Sequence, residues 1–118
     1  MAKHILVVDD DPTIRRVIGT ILSKHGHRTI EVSNGLEAVH KIQNSDFDLI
    51  TMDMAMGYLD GIDAISILQN ETQAPIIVIS AHLTDDINTD LDARGILFRL
   101  SKPFTVDQLT AIVDRALG

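Results

Sequence analysis

Hydrophobic positions along the 118-residue chain switch repeatedly between two periods. Five short runs, Ile5 to Val8, Thr29 to Val32, Leu49 to Met52, Ile76 to Ile79 and Ile96 to Leu100, are largely β-branched or leucine-rich. They predict five strands, the most apolar of them buried on both faces. Between these runs the apolar residues recur at helical spacing, as Ile14, Val17, Ile18, Ile21 and Leu22 do first.

Punctuation residues mark where each helix starts and stops. Asp11 is placed to cap the first helix with Pro12 in its first turn, and Gly26 stops it. Ala38, Val39 and Ile42 predict a second helix after Asn34, and Gly61, Ala64, Ile65 and Leu68 a third. A fourth lies around Ile87 and Leu91, with Asp85 and Asp86 favouring its start. Thr105 and Gln108 form a capping box that opens the last, whose buried stripe is Leu109, Ile112, Val113 and Ala116. Strict strand–helix alternation with no linker or low-complexity segment predicts an α/β fold, a doubly wound parallel sheet with helices on both faces.

Ligands in such sheets sit beyond the carboxyl ends of the strands, and the polar residues of this chain gather there. Asp9, Asp10 and Asp11 follow the first strand, Asp53 the third, Ser80 the fourth and Lys102 the fifth. Asp11 is accounted for as a helix cap. Asp9, Asp10 and Asp53 on one edge would repel one another, each raising its neighbour's pKa, unless a cation lay between them. Hard oxygen ligands of this kind suit Mg²⁺, which uses few protein carboxylates together with phosphate oxygens. A carboxylate such as Asp53 can attack phosphorus to give an acyl phosphate, while a divalent cation, Lys102 and the Ser80 hydroxyl balance charge on the transferred oxygens.

Composition narrows the partners. A net charge of -7 argues against direct nucleic-acid binding and against anionic membranes. The absence of cysteine excludes disulfides and thiolate metal sites and fits a reducing, cytoplasmic setting. The start "MAKHILVVDD" carries too few apolar residues for a signal peptide. With 45% hydrophobic residues, the chain reads as one domain over residues 1–118, without an output module. His4, His25, His27 and His40 show no metal-ligand spacing, and Met52, Met54 and Met56 read as core and loop fillers.

Taken together, "ILVVDDDPTIRR", "DLITMDM", "IIVISA" and "LSKPF" resemble the receiver domain of two-component response regulators, including its single-domain, chemotaxis-type members. That resemblance implies a flavodoxin-like sheet of strand order 2-1-3-4-5 and a phosphoacceptor role for Asp53, supplied by a histidine kinase or histidine phosphotransfer protein. It further implies Mg²⁺ held by Asp9, Asp10, Asp53 and the backbone carbonyl of Ala55. Ser80 and Lys102 would contact the phosphoryl group, and the Lys102–Pro103 bond would be cis. Output would pass through helix 4, strand 5 and helix 5 to another protein or to a second copy of the chain.

Three departures from the family pattern involve four positions. Gly57 stands where proline is usual; Ala55 and His82 replace polar or charged groups that flank the hydrolytic water; and Arg99 occupies the place of an aromatic switch residue, with Phe98 one position away and hence on the opposite face. Arg99 is expected to face solvent and act through surface charge, because a guanidinium resists burial without a paired anion. Two other functions compete. "DDDPT" also fits the start of a haloacid-dehalogenase-type phosphatase, but that family's last acidic pair follows its lysine, whereas Asp85 and Asp86 precede Lys102, and Asp53 would have no role. A receiver-like interaction module that is never phosphorylated would have no use for the intact set of Asp10, Asp53, Ser80 and Lys102.

Overall fold

The three most apolar runs become the inner strands of one parallel sheet, and the two more polar runs become its edges. The structure is a computed structural model that describes the backbone of residues 2–54 and 58–118 and the side chains of 2–54 and 62–118. Its strands are β1 (His4–Val8), β2 (Arg28–Val32), β3 (Leu49–Asp53), β4 (Ile76–Ser80) and β5 (Phe98–Ser101). The order across the sheet is β2-β1-β3-β4-β5. Every residue of β3 and β4 is buried, while edge strands β2 and β5 keep Arg28 and Ser101 exposed.

Period-two alternation sends neighbouring residues of each strand into different cores. On one face Leu6, Val8, Ile50, Met52 and Val78 pack with Ala38 of α2 (Gly35–Asn44), Ile65 and Leu68 of α3 (Tyr58–Glu71) and Leu91 of α4 (Asp85–Ala93). On the other, Ile5, Val7, Leu49, Ile77 and Ile79 pack with Ile18 and Leu22 of α1 (Pro12–Lys24) and Leu109, Ile112 and Val113 of α5 (Val106–Leu117). Met52 and Met54 are both buried in the first of these cores, whereas Met56 and Gly57 lie outside the described residues.

The caps expected at Asp11 and Thr105 form, and Asn34, directly before α2, caps that helix as well. Asp11 accepts from the Thr13 amide at 2.9 Å, Asn34 from Glu37 at 2.8 Å, and Thr105 and Gln108 close the reciprocal capping box. Gly26, at φ 95°, turns the chain after α1 in a conformation that a side chain would strain. The fifth strand is shorter at its start than the apolar run suggests. Ile96 is buried, yet its amide closes on the Leu91 carbonyl at 3.0 Å, so it belongs to the turn ending α4 and the ladder begins at Phe98.

Candidate functional site

Sheet register delivers the candidate residues to one edge. Val8 lies opposite Met52, so β1 and β3 end level with each other and release Asp9 and Asp53 side by side. This is where the strand order reverses, the usual ligand crevice of a doubly wound sheet. Ser80 ends β4 opposite Ser101, and Lys102 follows directly. The Lys102 amide donates to the Ser80 carbonyl at 2.9 Å, and the Lys102–Pro103 bond is cis.

Asp9, Asp53 and Ser80 are buried, and the Lys102 ammonium reaches in to donate to Asp53 Oδ2. Asp9 Oδ1 accepts from the Asp11 amide at 2.9 Å, whereas its Oδ2 is buried with no hydrogen-bond partner. Burial pushes the Asp9 carboxyl up to about 7, and the adjoining Asp53 carboxyl adds to the rise, against the opposing pull of the Asp11 amide and Lys102. An orphaned carboxylate oxygen beside a second buried carboxylate is a donor set suited to a hard divalent cation.

One expected ligand is not buried with this cluster. Asp10 is exposed and lines the mouth of a mainly apolar groove of about 610 Å³ between α2 and α3, whose walls include Leu36, Val39, Ala64 and Ile67. Ala55 lies outside the described residues. The Ser80 hydroxyl accepts from the amide of His82, whose side chain is exposed, at 3.0 Å. The sequence reading overlooked Arg15, whose Nη1 donates to the Asp9 carbonyl at 2.8 Å. Its position one turn into α1, on the side facing the end of β1, was the available signal.

Arg99 corrects an expectation. Its side chain is only 19% exposed and turns onto α4, where it donates to Asn88 Oδ1 at 3.1 Å, to Asp92 and to the Ile96 carbonyl at 2.8 Å. The paired anion that burial requires is supplied by Asp92, seven residues earlier but brought alongside by the α4–β5 turn. Phe98 does point the other way, into the core beneath α5, with the Arg115 guanidinium 5.9 Å from its ring centre.

A five-stranded parallel sheet of this order, with buried carboxylates at its switch point, defines the flavodoxin-like α/β class. Within it, residues 5–114 match the response regulator receiver domain family. The chain is 37% identical to the chemotaxis protein CheY of Bacillus subtilis over 120 residues, covering all of both chains. It is 33% identical to the transcription factor SKN7 of Candida albicans over 115 residues, which are 97% of this chain but 21% of that protein. Among solved structures, the receiver domain of sensor histidine kinase PA1611 from Pseudomonas aeruginosa, with magnesium in its active-site cleft, is 30% identical. It superposes with a TM-score of 0.87 over 100% of this chain and 99% of that one. The chain therefore belongs to the receiver domain family of two-component signalling, whose members are regulatory phosphoacceptor domains. Among the described residues no helix is long and apolar enough to cross a membrane.

Proposed function

We propose that residues 1–118 act as a single receiver domain in which Asp53 takes a phosphoryl group from a histidine kinase or histidine phosphotransfer protein. The observation that carries this reading is the buried Asp53 carboxylate, held by the Lys102 ammonium beside Asp9 with its unpartnered oxygen. An Asp53 oxygen attacks phosphorus; the bond from phosphorus to the donor nitrogen breaks, and the departing imidazole keeps the electron pair. Lys102 is poised to move from the carboxylate to a transferred oxygen, and the Ser80 hydroxyl faces the same edge as a hydrogen-bond donor.

Asp9, Asp10, Asp53 and the Ala55 carbonyl are the residues that would hold Mg²⁺. The ion, when bound, supplies positive charge shared between the acids and the phosphoryl oxygens. The new charge on Asp53 then competes for Lys102, and the altered edge is read by another protein, or by a second copy of this chain, across α4, β5 and α5. Acceptance of phosphate is thus a regulatory event rather than turnover of a substrate.

Intact-mass measurement after incubation with acetyl phosphate tests the proposal. One phosphoryl group is expected to add in the presence of Mg²⁺, and none after Mg²⁺ removal or in Asp53→Ala. Full labelling of Asp53→Ala would overturn the assignment, and sustained hydrolysis of a phosphomonoester would favour the phosphatase alternative.

A further inference from the structure

Three side chains at the opposite end of the fold from Asp53 converge although the chain separates them widely. His25 caps the C-terminus of α1, His27 follows the Gly26 turn and leads into β2, and Asp114 lies near the end of α5. One ligand atom from each falls within 4.8 Å of the other two. His25 Nε2 lies 3.0 Å and 3.3 Å from the two Asp114 oxygens, and the two imidazole centres are 5.6 Å apart.

We propose that His25, His27 and Asp114 form a binding site for a divalent transition ion of the Zn²⁺ class. Two imidazoles and one carboxylate match the nitrogen-rich preference of such ions, with water completing the coordination from the solvent side. The pair of histidines alone would be unremarkable; Asp114 supplies the third ligand and the negative charge.

A second observation points to the same place. His27 Nε2 is buried and has no hydrogen-bond partner. The Lys3 amide donates to His27 Nδ1 at 3.3 Å, so in the neutral ring the proton sits on Nε2 and meets no acceptor. Metal ligation through Nε2 moves that proton to Nδ1, and the long bond from Lys3 is exchanged for water. The site differs in chemistry from the Asp9 and Asp53 edge, whose oxygens favour Mg²⁺.

A bound ion would tie the end of α5 to the α1–β2 turn and so stabilise the folded chain. The test is calorimetric titration of the full chain with ZnCl₂ in saturating Mg²⁺, together with thermal unfolding, for wild type, Asp53→Asn, His27→Gln and Asp114→Asn. One equivalent is expected to bind wild type and Asp53→Asn and to raise their melting temperatures. His27→Gln and the surface variant Asp114→Asn should each weaken binding at least tenfold. No heat and no thermal shift in the wild type would overturn the site. So would equal binding by both ligand variants, and binding lost only in Asp53→Asn would place the ion in the acid cluster instead.

Discussion

Replacing Asp9 by asparagine should stabilise the Mg²⁺-free protein at pH 8, with a gain that shrinks as the pH falls. The Asp9 carboxyl titrates at about 7 in the folded chain against a reference of 3.8, chiefly because it is buried and secondarily because Asp53 adjoins it. The folded state thus binds its proton more tightly than the unfolded state. Stability contributed by this group is fully present below the unfolded value and is lost as the pH rises from about 4 to about 7. At about 1.36 kcal/mol per pKa unit, holding Asp9 ionised at pH 8 costs the fold about 4 kcal/mol. By pH 5 that falls to about 1–2 kcal/mol. Asparagine keeps an oxygen for the Asp11 amide and turns an N–H₂ group toward Asp53, so it removes the charge without orphaning that donor. A gain of about 1–4 kcal/mol corresponds to a rise in Tm of roughly 4 °C or more. Thermal unfolding of Asp9→Asn and wild type in EDTA at pH 5 and pH 8 provides the assay. A lower Tm for the variant at pH 8, or an equal difference at both pH values, would refute the burial argument.

Three further outcomes are expected. Gly35→Ala should destabilise by about 1–3 kcal/mol in a urea melt, because its new Cβ would stand 2.6 Å from the Ala64 Cβ and force α2 away from α3. Arg99→Ala should cost about 1–2 kcal/mol and speed amide exchange across Asp85–Ala93 through the lost contacts to Asn88, Asp92 and Ile96, while the rate of Asp53 phosphorylation stays unchanged. Thr105→Ala should lower stability by about 1 kcal/mol and fray the start of α5, seen as faster exchange of the Gln108 amide, which loses its 3.1 Å bond to the threonine hydroxyl.

What the chain determines by itself is mainly local. The alternating periods named all ten elements, and the caps at Asp11, Asn34 and Thr105 follow from side chains bonding amides two or three residues away. Because parallel strands present their C-terminal ends to one edge, the residues after those runs could be assigned to a common site before any pairing was known. Tertiary structure decided what depends on distant neighbours. Strand order is a pairing of segments far apart in sequence, and it is this order that sets Asp9 beside Asp53 and buries both. The protonation of Asp9 is likewise a property of burial, invisible in the letters "DDD". Ile96 reads as strand because it is apolar, but burial alone does not distinguish a ladder residue from one that closes a helix-ending turn. Arg99 finds an anion, and His25 and His27 find Asp114, only when packing sets α4 against β5 and α5 beside the α1–β2 turn. Periodicity reports which face of an element is apolar; it carries no information about which polar groups another element will bring to meet it.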